Sequence, residues 1–283
     1  MILITWNVQW CRGCDGKVDP ERIVRAARGM ADFDVLCLQE LARDFPGLEG
    51  SRGEDQFALI AEALPGFTRV EAIATDALAV DGQRSHFGNA IYSRLPVIQA
   101  FRHLLPWPAD PAVPSMQRSA AEAVLDTASG PVRVTTTHLE YYSRRQRAAQ
   151  VEALRALHQE AAVHAADPVD REKEGGPFRK LPRPRSSILT GDFNFQAEDP
   201  LHARLRAPIG GGVPAYADAW QVRHPGRRHD PTLGIFDKGQ WPGASFACDF
   251  IFVSEDLVPR VREVKVNLET AASDHQPVLL RLD

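Results

Sequence analysis

What most constrains this chain is a recurrence at the ends of its apolar runs. "MILIT" leads to Asn7 and Gln9, "DVLCLQ" to Glu40, "VRVTTT" to His138, and "SSILT" to Asp192 and Asn194. Each run is short, apolar or β-branched and bounded by polar or turn-forming residues, the signature of a buried strand. In a layered sheet protein, strand ends bring residues distant in sequence to one rim, where loops leave room for a ligand. The pattern therefore predicts a sheet architecture and a polar pocket on one edge of it.

Helical patterns separate these runs. "DPERIVRAARGMA" has Asp19 placed as N-cap and Pro20 at the first helical position, and "EDQFALIAEAL" is stopped by Pro65-Gly66. "SRRQRAAQVEALRALHQEAAVHAA" reads as a long helix with Ala148, Val151, Leu154 and Leu157 inward and its arginines in water. "FTRVEAIA" and "GNAIYS" are predicted strands flanking a polar loop with Gly82 and His86, and the stretch from Pro96 to Pro114 an ordered surface excursion. A hairpin is expected across Thr127 to Pro131, a short helix near "PLHARLRA", and closing strands over "SFACDFIFVS", "VREVKVN" and "PVLLRL". Residues 167–185 lose periodicity and gather Arg171, Lys173, Arg179, Lys180, Arg183 and Arg185, which predicts a flexible basic insertion in a single domain spanning 1–283. No residue pattern repeats at a fixed period.

Composition excludes several classes. With 44% hydrophobic and 25% charged residues the chain is neither disordered nor fibrous, and no segment approaches the ~18 apolar residues of a membrane span. The N-terminus lacks a basic leader and a cleavage site, so a cytoplasmic location is expected, and a monomer with it. A net charge of −4 marks no general nucleic-acid binder, although a basic site on an acidic body is compatible with it. Cys11 and Cys14 form a lone C-x-x-C without the second pair or the histidines that zinc needs, and are read as two free thiols in a loop.

The strand-end residues form a coherent chemical set. Glu40, Asp192 and Asp274 are hard oxygen donors and Asn7 a neutral one, which suits Mg²⁺ or Mn²⁺ rather than zinc. His138 and His275 titrate near neutral pH and donate to phosphate oxygens or move protons. Asp192 and Asn194 stand two apart, so an extended segment turns both to one face and Phe193 to the core, with Gly191 permitting a tight turn. An isolated D-x-N is more often an Asx turn, and the other strand ends are what favour a functional reading. Asp249 lies between apolar residues and needs a partner, for which His275 is the natural candidate.

Seven segments, "TWNVQW", "LQE", "GNAIYSR", "THLE", "GDFN", "CDFIFV" and "SDHQPV", run in order from Thr5 to Val278. In these segments the chain resembles the endonuclease/exonuclease/phosphatase superfamily, which includes deoxyribonuclease I, exonuclease III-type nucleases, deadenylases, inositol polyphosphate 5-phosphatases and neutral sphingomyelinases. The resemblance implies an α+β fold, a two-layer β-sandwich flanked by α-helices, and a divalent-metal phosphoesterase acting on phosphodiester bonds. Nucleic acid is the first substrate implied, with a small or lipid-linked phosphate as the alternative. Carried over, it implies Asn7 and Glu40 around the metal and His138 on the phosphate. It further implies Asp192 and Asn194 at the attacking water, and Asp249 supporting His275 beside Asp274. Whether Asp192 or His275 is the base stays open. Arg118 is similar to an arginine of the 5′-tyrosyl-DNA phosphodiesterases and is equally suited to a surface strand start. Asn89 suits either the substrate rim or a turn. Arg144, Arg145, Arg147 and the basic insertion are candidate tracks for a polyanion.

Overall fold

The computed structural model describes residues 1–79, 82–166, 176–178 and 180–283. In chain order the strands are β1 (Ile2–Asn7), β2 (Val35–Arg43), β3 (Thr68–Leu78), β4 (Arg84–Ser93), β5 (Val97–Leu104), β6 (Ser119–Leu125), β7 (Val132–His138), β8 (Ser187–Asp192), β9 (Tyr216–Asp218), β10 (Asp249–Ser254), β11 (Val261–Val266) and β12 (Val278–Leu282). They build two six-stranded sheets, ordered β11-β12-β1-β2-β4-β3 and β5-β6-β7-β8-β10-β9. Five helices accompany them: α1 (Pro20–Met30), α2 (Gln56–Ala63), α3 (Arg144–Ala166), α4 (Pro200–Arg206) and α5 (Ala219–Arg223).

The sheets share one apolar interface. Leu3, Cys37, Val70 and Ile91 of the first meet Ala123, Val134, Ile188 and Ile251 of the second, all buried. The outer faces take the helices. Ile23, Val24, Phe57 and Ile60 of α1 and α2 cover Ile4, Trp6, Leu36 and Tyr92, while Val151, Leu154 and Leu205 of α3 and α4 cover Leu189, Phe250 and Phe252. The result is the expected α+β, four-layer arrangement, helix on sheet on sheet on helix.

Topology explains why the polar ends meet. In each sheet the central pair is parallel, β1 with β2 and β7 with β8, and joined by a helix, α1 or α3. Parallel neighbours finish at the same edge, so Asn7 and Glu40 arrive together, and His138 lies in register with Asp192. Directly beneath them Gln39 ties the sheets together, its Nε2 donating to Thr5 Oγ1 at 3.1 Å and to Thr136 Oγ1 at 2.8 Å.

Several sequence expectations need correction. The excursion from Pro96 contains β5, an edge strand pairing with β6, and His86 lies within β4 rather than in a loop. On α3 the buried face includes Gln146, Arg147, Gln150, Arg155 and His158, whereas Ala148 and Leu157 are only partly covered. These polar residues reach backbone carbonyls and other side chains inside the fold: Arg147 donates to the carbonyls of Glu140 and Tyr141 and so is not free to track a polyanion. Of the basic insertion, Arg171, Lys173 and Arg179 lie outside the described residues. Arg183 is buried against Glu160, Glu122 and the Phe101 ring, and Arg185 donates to the Gly212 carbonyl, so both are tied into the fold. Gly191 does not serve a turn. Its φ is +140°, and a Cβ there would stand 1.9 Å from the Thr137 carbonyl oxygen, so the close approach of β7 and β8 requires glycine.

Candidate active site

The site is organised around one carboxylate oxygen. Asp192 Oδ2 receives Asn7 Nδ2 at 2.9 Å, and His138 Nε2 and His275 Nε2 stand 3.5 and 3.7 Å away. Asn7 Nδ2 also donates to Glu40 Oε1 at 3.0 Å, so a single amide bridges the two carboxylates. Asn7 therefore turns its nitrogen to them, while its oxygen accepts from the Gln9 amide at 3.1 Å. Glu40 reaches this point through a bulge: the β2–β4 register shifts between Leu38 and Leu41, and Glu40 has φ +61°. An extra residue in one strand re-aims a side chain, here over the rim.

The two histidines are held in opposite states. Burial, then the charges of Arg118 and His275, holds the His138 imidazole well below its ordinary range, so it is neutral. Arg118 Nη1 lies 3.0 Å from His138 Nδ1 and can only donate. Asn194 Nδ2, 3.0 Å from His138 Nε2 and donating to the Leu139 carbonyl at 2.9 Å, can likewise only donate, so both ring nitrogens face donors, with Asp192 Oδ2 3.5 Å from Nε2. For His275, burial opposes charge, but Asp249, Asp274 and Asp192 outweigh it and hold the imidazole well above its usual range. Its Nδ1 lies 2.9 Å from Asp249 Oδ2, the pairing expected from sequence, and Thr232 Oγ1 donates to the same oxygen at 2.6 Å.

The carboxylates are crowded. Burial, then Asp274, pushes Glu40 up to about 7, a rise that the 17% exposure of its side chain moderates. Asp192 is likewise raised, by burial and by Asp249. Crowded oxygen donors with raised proton affinity are the donor set a hard cation stabilises. Glu40, His138 and Asp192 offer ligand atoms within 4.8 Å of one another, as do Asp192, Cys248 and His275. Asp274 stands to one side, its Oδ2 accepting from Gln9 Nε2 at 3.1 Å and Trp241 Nε1 at 3.0 Å.

Other expected residues fall as follows. Asn194 is not extended: its φ is +52° and its N–H donates to Asp192 Oδ1 at 2.9 Å, so the Asx turn forms and still leaves the amide beside His138. Arg118 is no surface residue. It is 7% exposed and its Nε donates to the fully buried Glu140 at 3.1 Å. Asn89, 2% exposed, donates to the Ser119 carbonyl at 2.9 Å and braces the two sheets behind Arg118. Cys11 and Cys14 are both free thiols, as expected: Cys11 is buried at the end of a short turn, with its thiol pushed well up by that burial, and Cys14 Sγ donates to the Ser273 carbonyl. Sequence reasoning missed Glu140 as the partner of Arg118, although "THLE" contained it, and missed Thr232 and Trp241, for which no local signal existed. His202 and His229 both contact Asp218 Oδ2 at 2.8 Å. Asp218 also caps α5 through Oδ1, a use that structure alone accounts for.

Two stacked sheets jacketed by helices, with carboxylates and imidazoles gathered at the ends of two parallel strand pairs, define the class: phosphoester hydrolases of the deoxyribonuclease I-like fold. Residues 4–275 match the model of the Endonuclease/Exonuclease/phosphatase family. The chain belongs to that family, and it is a metal-dependent hydrolase acting on phosphate ester bonds. Among solved structures it is similar to an endonuclease/exonuclease/phosphatase from Beutenbergia cavernae, at 26% identity and TM-score 0.66, covering 100% of this chain and 71% of that one. It shares its fold with a mannosyl-6-phosphatase from Bacteroides thetaiotaomicron (18% identity, 100% and 99% coverage, TM-score 0.67). The same holds for a 3′ phosphatase from Neisseria bound to a product DNA hairpin (21%, 100% and 99%, 0.64). No curated protein matches it significantly. Among the described residues no helix is long and apolar enough to cross a membrane.

Proposed function

We propose that this enzyme hydrolyses phosphodiester bonds, with nucleic acid as the substrate class. The observation that carries the reading is the convergence of Asn7, His138 and His275 on Asp192 Oδ2. Glu40 and Asp192, bridged by Asn7, fit a hard divalent cation such as Mg²⁺ or Mn²⁺, with Asp274 adding negative field nearby. When bound, such an ion offsets charge developing on the phosphoryl oxygens and the leaving group.

The chain's own residues do the rest. Asp192 Oδ2, on which Asn7 and both histidines converge, takes the proton of an attacking water, and Asn194 fixes Asp192 through the Asx turn. His275, kept protonated and oriented by Asp249, donates from Nε2 to a phosphoryl oxygen. Neutral His138, clamped between Arg118 and Asn194, lines the same group beside Asp192. The Neisseria relative, a 3′ phosphatase holding a DNA product, supports a nucleic-acid substrate for this fold.

The test is a panel assayed with Mg²⁺, Mn²⁺ and excess chelator: single- and double-stranded DNA, RNA, tyrosyl-DNA, inositol phosphates, a sugar phosphate and sphingomyelin. Hydrolysis of a nucleic-acid diester well above the others is expected. Turnover confined to the sugar or lipid phosphates would overturn it.

A further inference from the structure

An aromatic wall stands on one side of the site and has no role in the chemistry described above. Tyr141 and Tyr142 follow Glu140, which holds Arg118 against His138, and they remain 43% and 57% exposed. Trp241 comes from the loop before β10, and its ring lies 6.0 Å from that of Tyr141 at an interplanar angle of 79°. Tyr141 and Tyr142 meet edge to face at 4.8 Å. Trp241 is partly buried, and two exposed tyrosines set against it form one contiguous aromatic group of the kind that marks a recognition surface.

The wall is fixed to the catalytic rim. Trp241 Nε1 donates to Asp274 Oδ2 at 3.0 Å, and Gln9 links that same oxygen, at 3.1 Å, to Gln240 Oε1 at 2.9 Å. The Trp241 loop is closed on itself, with Lys238 Nζ donating to the Gly234 carbonyl at 2.6 Å and the Gly243 carbonyl at 3.2 Å. Rings held before a ligand arrives lose little entropy when one stacks on them. The exposed charges nearest the rings in sequence are cationic, Arg144, 3.8 Å from Asp199, and Arg145 after the tyrosines and Lys238 on the tryptophan loop. Cations near aromatic faces suit a planar base with phosphates on either side.

We infer that Tyr141, Tyr142 and Trp241 form a subsite for an unpaired nucleobase next to the scissile phosphate, which makes single-stranded nucleic acid the preferred substrate. The inference rests on the phosphodiesterase reading. Base–aromatic stacking of ~1–3 kcal/mol per base corresponds to roughly 5- to 150-fold in affinity.

The test compares kcat/KM for a single-stranded oligonucleotide with that for the same strand carrying abasic residues around the cleaved bond, under the metal that supports turnover. A ratio on the order of 10 in favour of the intact strand is expected. It should fall toward 1 in Tyr141→Ala and persist in Tyr141→Phe. A ratio near or below 1 in the wild type, or one unmoved by Tyr141→Ala, overturns the subsite. Hydrolysis of no strand at all, with a sugar or lipid phosphate consumed, removes the phosphodiesterase reading instead. Binding supplies an independent measurement. In the Asp192→Asn protein the intact strand should quench tryptophan fluorescence more than the abasic one, and Trp241→Phe should remove that difference. Equal quenching by both strands would also overturn the subsite.

Discussion

Replacing Asp249 separates orientation from chemistry. Its Oδ2 accepts from His275 Nδ1 at 2.9 Å and from Thr232 Oγ1 at 2.6 Å, and it lies behind the imidazole rather than over the rim. Asp249→Asn keeps the shape and removes the charge, so His275 loses one charge-assisted hydrogen bond, worth about 1.5–3 kcal/mol. At ~1.4 kcal/mol per tenfold, kcat should fall roughly 10- to 150-fold. KM should change little, because the residue does not touch substrate. His275→Ala removes the donor itself and should cost about 10²- to 10⁴-fold. Steady-state kinetics on the best panel substrate, with circular dichroism to confirm folding, read both. A larger loss in a folded Asp249→Asn protein than in His275→Ala, or a raised KM at unchanged kcat, would refute the orientation role.

Three further outcomes follow from the geometry. Chelation should abolish turnover and Mg²⁺ or Mn²⁺ restore it, and Glu40→Gln should raise the metal concentration for half activity; an unchanged metal titration would remove Glu40 from the ion's ligands. Gly191→Ala must part β7 from β8 next to Asp192, and thermal unfolding should show a loss of at least about 2 kcal/mol; an unchanged melting temperature would contradict the close approach to Thr137. His158, buried between Arg133 and the Pro214 carbonyl, is held down at about 4, chiefly by burial. Its folded value lies below the unfolded ~6.5, so the unfolded chain binds the proton first, and stability present above ~6.5 is lost as pH falls toward 4. Urea unfolding at pH 7 and 4.5 should show about 2–3 kcal/mol more loss in the wild type than in His158→Gln, and a smaller loss in the wild type would reverse the sign.

The strands that carry the site were legible because short apolar runs with polar ends have few other uses, and β1, β2, β7 and β8 all lie where those runs predict. β5 was not, because prolines on either side of it and its mixed composition resemble a loop until β6 is there to pair with it. The buried face of α3 was hidden for a related reason. Arg147, Arg155 and His158 look like solvent residues in sequence, and only tertiary neighbours supply the carbonyls that allow them to be covered.

At the site the limit is of another kind, because the backbone there departs from the local rules on which sequence reading depends. Gln9, Glu40 and Asn194 are among six non-glycine residues with left-handed φ in the described chain, and each touches the carboxylate group. Such conformations cost on the order of 1–3 kcal/mol apiece and persist only where surrounding structure over-determines them. Here the determinants are the bulge in β2, the Asn7 amide bridging Glu40 and Asp192, and the Asx turn at Asn194. An extended Asn194 would carry its amide away from His138 and the Leu139 carbonyl. Without the bulge, the strict alternation of β2 would turn Glu40 to the opposite face from Gln39 and Leu41 and away from the rim. The residue types that make the chemistry possible are therefore visible in the sequence, whereas the strain that aims them arises only once both sheets are in place.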